Sequence, residues 1–96
     1  MGEYEDLNKK LHEQYRESAE RFRTPGPGTG DEKLHANNRH MQELKEREAG
    51  TLREMQASAP EPERPKVDDA LARTEREAAE FGQRADHYAQ KLNRRP

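Results

Sequence analysis

The chain has 96 residues, no cysteine and a formal charge of −2. That length holds one domain at most, the missing cysteine excludes a disulfide frame and a thiolate metal site, and no apolar run approaches the ~18–20 residues that cross a bilayer. Leu, Ile, Val and Phe supply only 10 of the 96 residues, whereas Ala, Glu, Lys, Leu and Arg supply 51, which is a composition of long helices rather than sheets.

Two clusters of helix breakers divide the chain, Thr24-Pro25-Gly26-Pro27-Gly28-Thr29-Gly30 and Pro60-Glu61-Pro62-Glu63-Arg64-Pro65. Proline removes a backbone donor and fixes φ, and glycine has the widest backbone freedom, so both runs are expected to be non-helical surface linkers, at 24–30 and 60–66. An all-α chain of three helical segments follows, at 1–23, 31–59 and 67–94.

The first segment carries Tyr4, Leu7, Leu11, Tyr15, Ser18 and Phe22 in steps of three and four, a stripe along one helical face. Glu5–Lys9, Asp6–Lys10 and Glu17–Arg21 add acid-to-base pairs one turn apart. Leu7, Leu11, Tyr15 and Phe22 are its candidate interaction residues.

The second segment is the weakest. Asp31 is its expected N-cap, and its stripe runs through Leu34, Met41, Leu44, Leu52 and Met55. Asn37 and Asn38 fall where an apolar side chain is wanted, and Glu48 interrupts the stripe again. Gly50 lies in the interior and costs ~1 kcal/mol relative to alanine, so a bend or fraying is expected there.

The third segment is the most regular. After Pro65, with Asp68 or Asp69 as the expected cap, Val67, Leu71, Thr74, Ala78, Phe81, Ala85, Tyr88 and Leu92 repeat at alternating steps of four and three, a heptad seam of coiled-coil type. Two copies of this helix laid antiparallel would set Leu71 against Tyr88, Val67 against Leu92 and Ala78 against Phe81. The same arrangement would pair Glu77 with Arg84 of the partner twice by symmetry. That predicts an antiparallel homodimer; the competing arrangement packs the seam on the first two helices of its own chain. With so few large side chains, the isolated chain is expected to be of low or concentration-dependent stability and partly disordered.

Little chemistry is encoded. His12, His35, His40 and His87 are scattered, with no pair at ligand spacing on one helical face, so no metal site is expected. Gly26, Gly28 and Gly30 alternate with Pro27 and Thr29, and no strand precedes them, which does not make a phosphate loop. Ser18 and Ser58 lack the context of a nucleophile. No cofactor and no catalytic activity are expected. Segment charges of −1, −1 and 0 over 1–23, 24–59 and 60–96 leave only the end of the chain, Lys91 to Arg95, basic. Nucleic-acid binding through that end is therefore the second reading. The first is a non-catalytic helical oligomerisation or adaptor module that offers its apolar faces to a protein partner or to itself. The acidic start, Met1 to Asp6, has no apolar run of the secretory type, so a cytoplasmic protein is expected. Arginine outnumbers lysine 12 to 6 and isoleucine is absent, the bias of a GC-rich bacterial genome.

Overall fold

The computed structural model describes residues 2–24 and 30–94. Three helices form: α1 at Glu3–Arg23, α2 at Gly30–Ser58 and α3 at Arg64–Asn93, with a 3-10 turn at Glu61–Glu63 before the last. The chain is all-α, with no strand among the described residues. None of its helices is long and apolar enough to cross a membrane among those residues.

α2 is the central element. Gln56 pairs with Asp68 and Arg39 with Asp86, so α3 runs antiparallel to α2. Gln14 pairs with Thr51, and Thr24 lies beside His40, so α1 is antiparallel to α2 as well. α1 and α3 are therefore parallel to each other, and no described Cα of one comes within 8 Å of the other. A closed triangle of helices at ~10 Å spacing would have a Cα cross-section of roughly 14 by 14 Å. The observed section is 21 by 14 Å over a length of 56 Å, so the three helices form an open V with α2 at its base.

The apolar stripes meet as their spacing requires. Leu11 of α1, Leu52 and Met55 of α2, and Val67 and Leu71 of α3 form one buried cluster, with Tyr4, Leu7 and Tyr15 packed on its edge. Met41, Leu44 and Phe81 form a second cluster towards the other end. In the α3 seam, Val67, Leu71, Thr74, Ala78, Phe81 and Ala85 are buried, while Tyr88 and Leu92 are half-buried. This seam packs against α2 of its own chain, so the face that an antiparallel α3 dimer needs is already covered. Glu77 Oε2 lies 3.8 Å from Lys45 Nζ of α2. Of the two arrangements expected from the sequence, the described chain shows the seam packed on its own helices, where α2 supplies matching leucines and methionines.

The second breaker run is more ordered than expected. Glu63 and Arg64 donate backbone N–H bonds to the Pro60 carbonyl at 2.9 and 3.2 Å, and the turn flows directly into α3. Pro65 sits in the first turn of that helix, where its missing N–H has no partner to lose. The non-helical stretch thus shrinks from 60–66 to Ala59 and Pro60. Asp68 and Asp69 lie inside α3 rather than at its cap, which is Glu63. At the other linker, residues 25–29 lie outside the described residues. Gly30 is already the first residue of α2, in the left-handed region at φ 61°, so Asp31 is in the first turn and not the cap.

α2 runs without interruption through Gly50, against the expectation of a bend or fraying. A Cβ at this position would meet nothing within 4 Å. Gly50→Ala is therefore expected to stabilise the fold by about 0.5–1 kcal/mol through helix propensity and the smaller entropy of the unfolded chain. Urea denaturation followed by circular dichroism measures this; an unchanged or lower midpoint would contradict it.

Candidate functional site

α1 and α3 lean on α2 without closing over it, and this leaves a groove of about 830 Å³. Its walls are Tyr15, Ser18, Ala19, Phe22 and Arg23 from α1 and Arg73, Thr74, Glu77 and Phe81 from α3; Met41 and Lys45 of α2 form the floor. The reason is local. α1 places side chains that are large or small in turn on this flank, and Ser18 and Ala19 leave room where a leucine would have drawn the helices together.

Phe22 is the most exposed large hydrophobic among the described residues, at 59 %. Its ring stands edge-on to that of Phe81, with centroids 6.4 Å apart. Phe22 thus reaches across the V without being covered. Leu34 is the other exposed large hydrophobic among the described residues.

A polar node lies beneath the groove. Glu48 is fully buried. Its Oε1 accepts a bond from Lys45 Nζ at 3.2 Å, and its Oε2 has no hydrogen-bond partner. Burial raises the Glu48 carboxyl above its ordinary value, and the nearby Glu77 adds to this, while Ser18 and Lys45 work against it. Burial also raises the Tyr15 phenol, with the charge of Glu48 acting in the same direction and Arg73 opposing it. Ser18 Oγ donates to the Tyr15 carbonyl at 3.1 Å within α1. The Thr51 hydroxyl donates to Gln14 Oε1 at 2.8 Å, with the Arg47 carbonyl at 3.2 Å. The Thr51–Gln14 bond ties α1 to α2 and fixes their register.

Of the residues singled out from the sequence, the structure brings Tyr15, Phe22, Thr74, Glu77 and Phe81 together at the groove. Arg84 lies over the Phe81 ring, 5.3 Å from its centroid. Leu7, Leu11, Val67, Leu71, Ala78 and Ala85 serve the interior instead. Tyr88 and Leu92 sit past the end of α1, where Lys91 Nζ lies 5.5 Å from the Tyr88 ring. Sequence reasoning missed Lys45, Arg73 and the role of Glu48. The signal for Glu48 was present as a break in an otherwise apolar stripe. Asn38 was a similar break; it is buried and its amide donates to the Leu34 carbonyl at 2.7 Å.

The arrangement holds no group of three or more His, Asp or Glu side chains placed to bind a metal among the described residues. What it offers is an apolar slot with charged margins. Comparison with protein-family models, curated proteins and solved structures finds no match to this chain.

Proposed function

We propose that the chain is a non-catalytic helical adaptor that receives a helix of a protein partner in the groove between α1 and α3, completing a four-helix bundle. The observation that carries this reading is the open V with Phe22 left 59 % exposed over it. A phenylalanine held in that state loses hydration free energy that a partner's side chains would recover, at ~25 cal/mol per Å² of apolar surface covered. Aromatic anchors at the centre of a patch are also where binding energy concentrates. Phe81, Met41 and Tyr15 continue the apolar surface around it.

Replacement of Phe22 by photoreactive benzoylphenylalanine in the source cell tests the reading. A discrete cross-linked protein species is expected from position 22 and none from position 72 on the outer face of α3, where Ala72 is exposed. Equal labelling from both positions, or none from position 22, would remove the groove as an interaction site. Phe22→Ala is expected to leave the melting temperature within a few degrees of the parent, because an exposed ring contributes little to stability. A large drop would mean that Phe22 is structural.

A further inference from the structure

The two walls of the groove differ in charge. His12, Arg16, Ala19 and Arg23 follow one another along α1 at steps of four, three and four, and so share one flank. Ala19 and Arg23 line the groove, which places Arg16 and His12 along the same margin. Glu20, one turn after Arg16, and Glu13, one turn before it, adjoin this margin, and Glu20 also borders, with Glu17, a separate depression beside His40. The α3 wall is mixed. Arg73 and Glu77 line it, with Lys45 Nζ 3.8 Å from Glu77, and Arg84 lies over the Phe81 ring with Glu80 one turn before it. Among the described residues no carboxylate lies within ion-pair distance, 4.0 Å, of Arg16, Arg23, Arg73 or Arg84. A chain of net charge −2 thus presents at this groove arginines with no carboxylate within that distance among the described residues.

Resting on the groove reading above, we infer that the occupant is an amphipathic helix of a different protein, with a row of carboxylates on the side that faces α1. The spacing fits such a helix. Tyr15 and Phe22 on one wall, and Thr74 and Phe81 on the other, are each seven residues apart. That is two turns, about 10.5 Å, the span of an i, i+4, i+7 set of apolar anchors. A second copy of this chain offers poor filling, because its exposed large hydrophobics among the described residues are Phe22, which lies in the groove itself, and Leu34. A phosphate backbone would reach the arginines but leave the apolar floor uncovered.

The test uses fluorescein-labelled synthetic helices with leucines at i, i+4 and i+7, flanked on one side by glutamates, by glutamines or by lysines, with labelled duplex DNA as a further probe. Fluorescence anisotropy is read against the full chain at low and moderate salt. The glutamate helix is expected to bind tightest. Arg16→Glu combined with Arg23→Glu should weaken it about tenfold at low salt and less at moderate salt, while Arg76→Glu, on the outer face of α3, leaves it unchanged. Both reversals are at exposed positions, and circular dichroism verifies that helicity is kept. Equal binding of the glutamine helix, preference for the lysine helix or the DNA, or no effect of the α1 reversals would overturn the inference. A dimer that forms with rising concentration and is broken by Phe22→Ala would overturn it in favour of a second copy. If the glutamine and glutamate helices bind alike and cross-linking from position 22 persists, the groove reading stands and only the carboxylate row falls. If no helix binds and no cross-link forms, both fall.

Discussion

Leu52→Ala is expected to be close to unfolding the chain. Leu52 is 1 % exposed, at the centre of the cluster where all three helices meet. Truncating a buried leucine costs about 2–5 kcal/mol, from the transfer of its methyl groups to water and from the cavity left behind. In a domain of this size each kcal/mol lowers the melting temperature by about 4–8 °C. A fall of at least ~10 °C in a thermal melt is therefore expected, with little change for Phe22→Ala as the internal contrast. The effect is large because the interior has no reserve. A chain with 10 residues of Leu, Ile, Val and Phe in 96 cannot repack around a void. A Leu52→Ala variant within ~1 kcal/mol of the parent would mean that the three-helix cluster is not the stabilising centre.

Glu48→Gln is expected to stabilise the fold at neutral pH and to flatten its pH dependence. The carboxyl of Glu48 lies above its ordinary value of 4.5 because burial penalises the charged form. The folded chain therefore binds this proton more tightly than the unfolded chain does. The stability contributed by that proton is full below the unfolded value and is lost as pH rises through the folded one. The parent protein should thus lose stability from this group as pH rises from about 4.5 towards neutrality. Glutamine keeps the shape and hydrogen-bonding capacity without the buried charge, and Lys45 retains Glu77 as its counter-charge. A gain in stability at neutral pH is expected, because the variant buries no charge at this position while Lys45 keeps a counter-charge 3.8 Å away. Urea denaturation of both proteins at pH 5 and pH 7.5 measures it. The difference between them should shrink at the lower pH. A difference that grows on acidification, or a less stable variant at neutral pH, would show that the ionised Glu48–Lys45 pair is net stabilising.

The groove was legible only in part. Tyr15 and Phe22 stand out as stripe residues of α1, but the stripe does not say which of its members will be covered. Leu11 is buried at 4 % exposure and Phe22 is left at 59 %, although both obey the same periodicity. The difference comes from where α3 lies, not from α1. The arginines at the groove were invisible to segment charges, because the arginines and glutamates of α1 cancel in the sum. The heptad seam of α3 is buried from Val67 to Ala85, but periodicity is indifferent to whether the surface opposite is another copy or the same chain.

Composition and periodicity by themselves determine that this chain is helical, that its helices break near residue 60, and which helical faces are apolar. These are local properties: propensity, breaker residues and a spacing near 3.6 depend on neighbours a few residues away. Tertiary structure alone decides that α2 answers the α3 seam, that Glu48 is buried with one oxygen unpaired, and that α1 and α3 stand apart over a groove. Each of those depends on residues far apart in sequence, such as Tyr15, Lys45 and Arg73, brought side by side. Their spacing is set by the volumes packed between the helices, which no single segment contains.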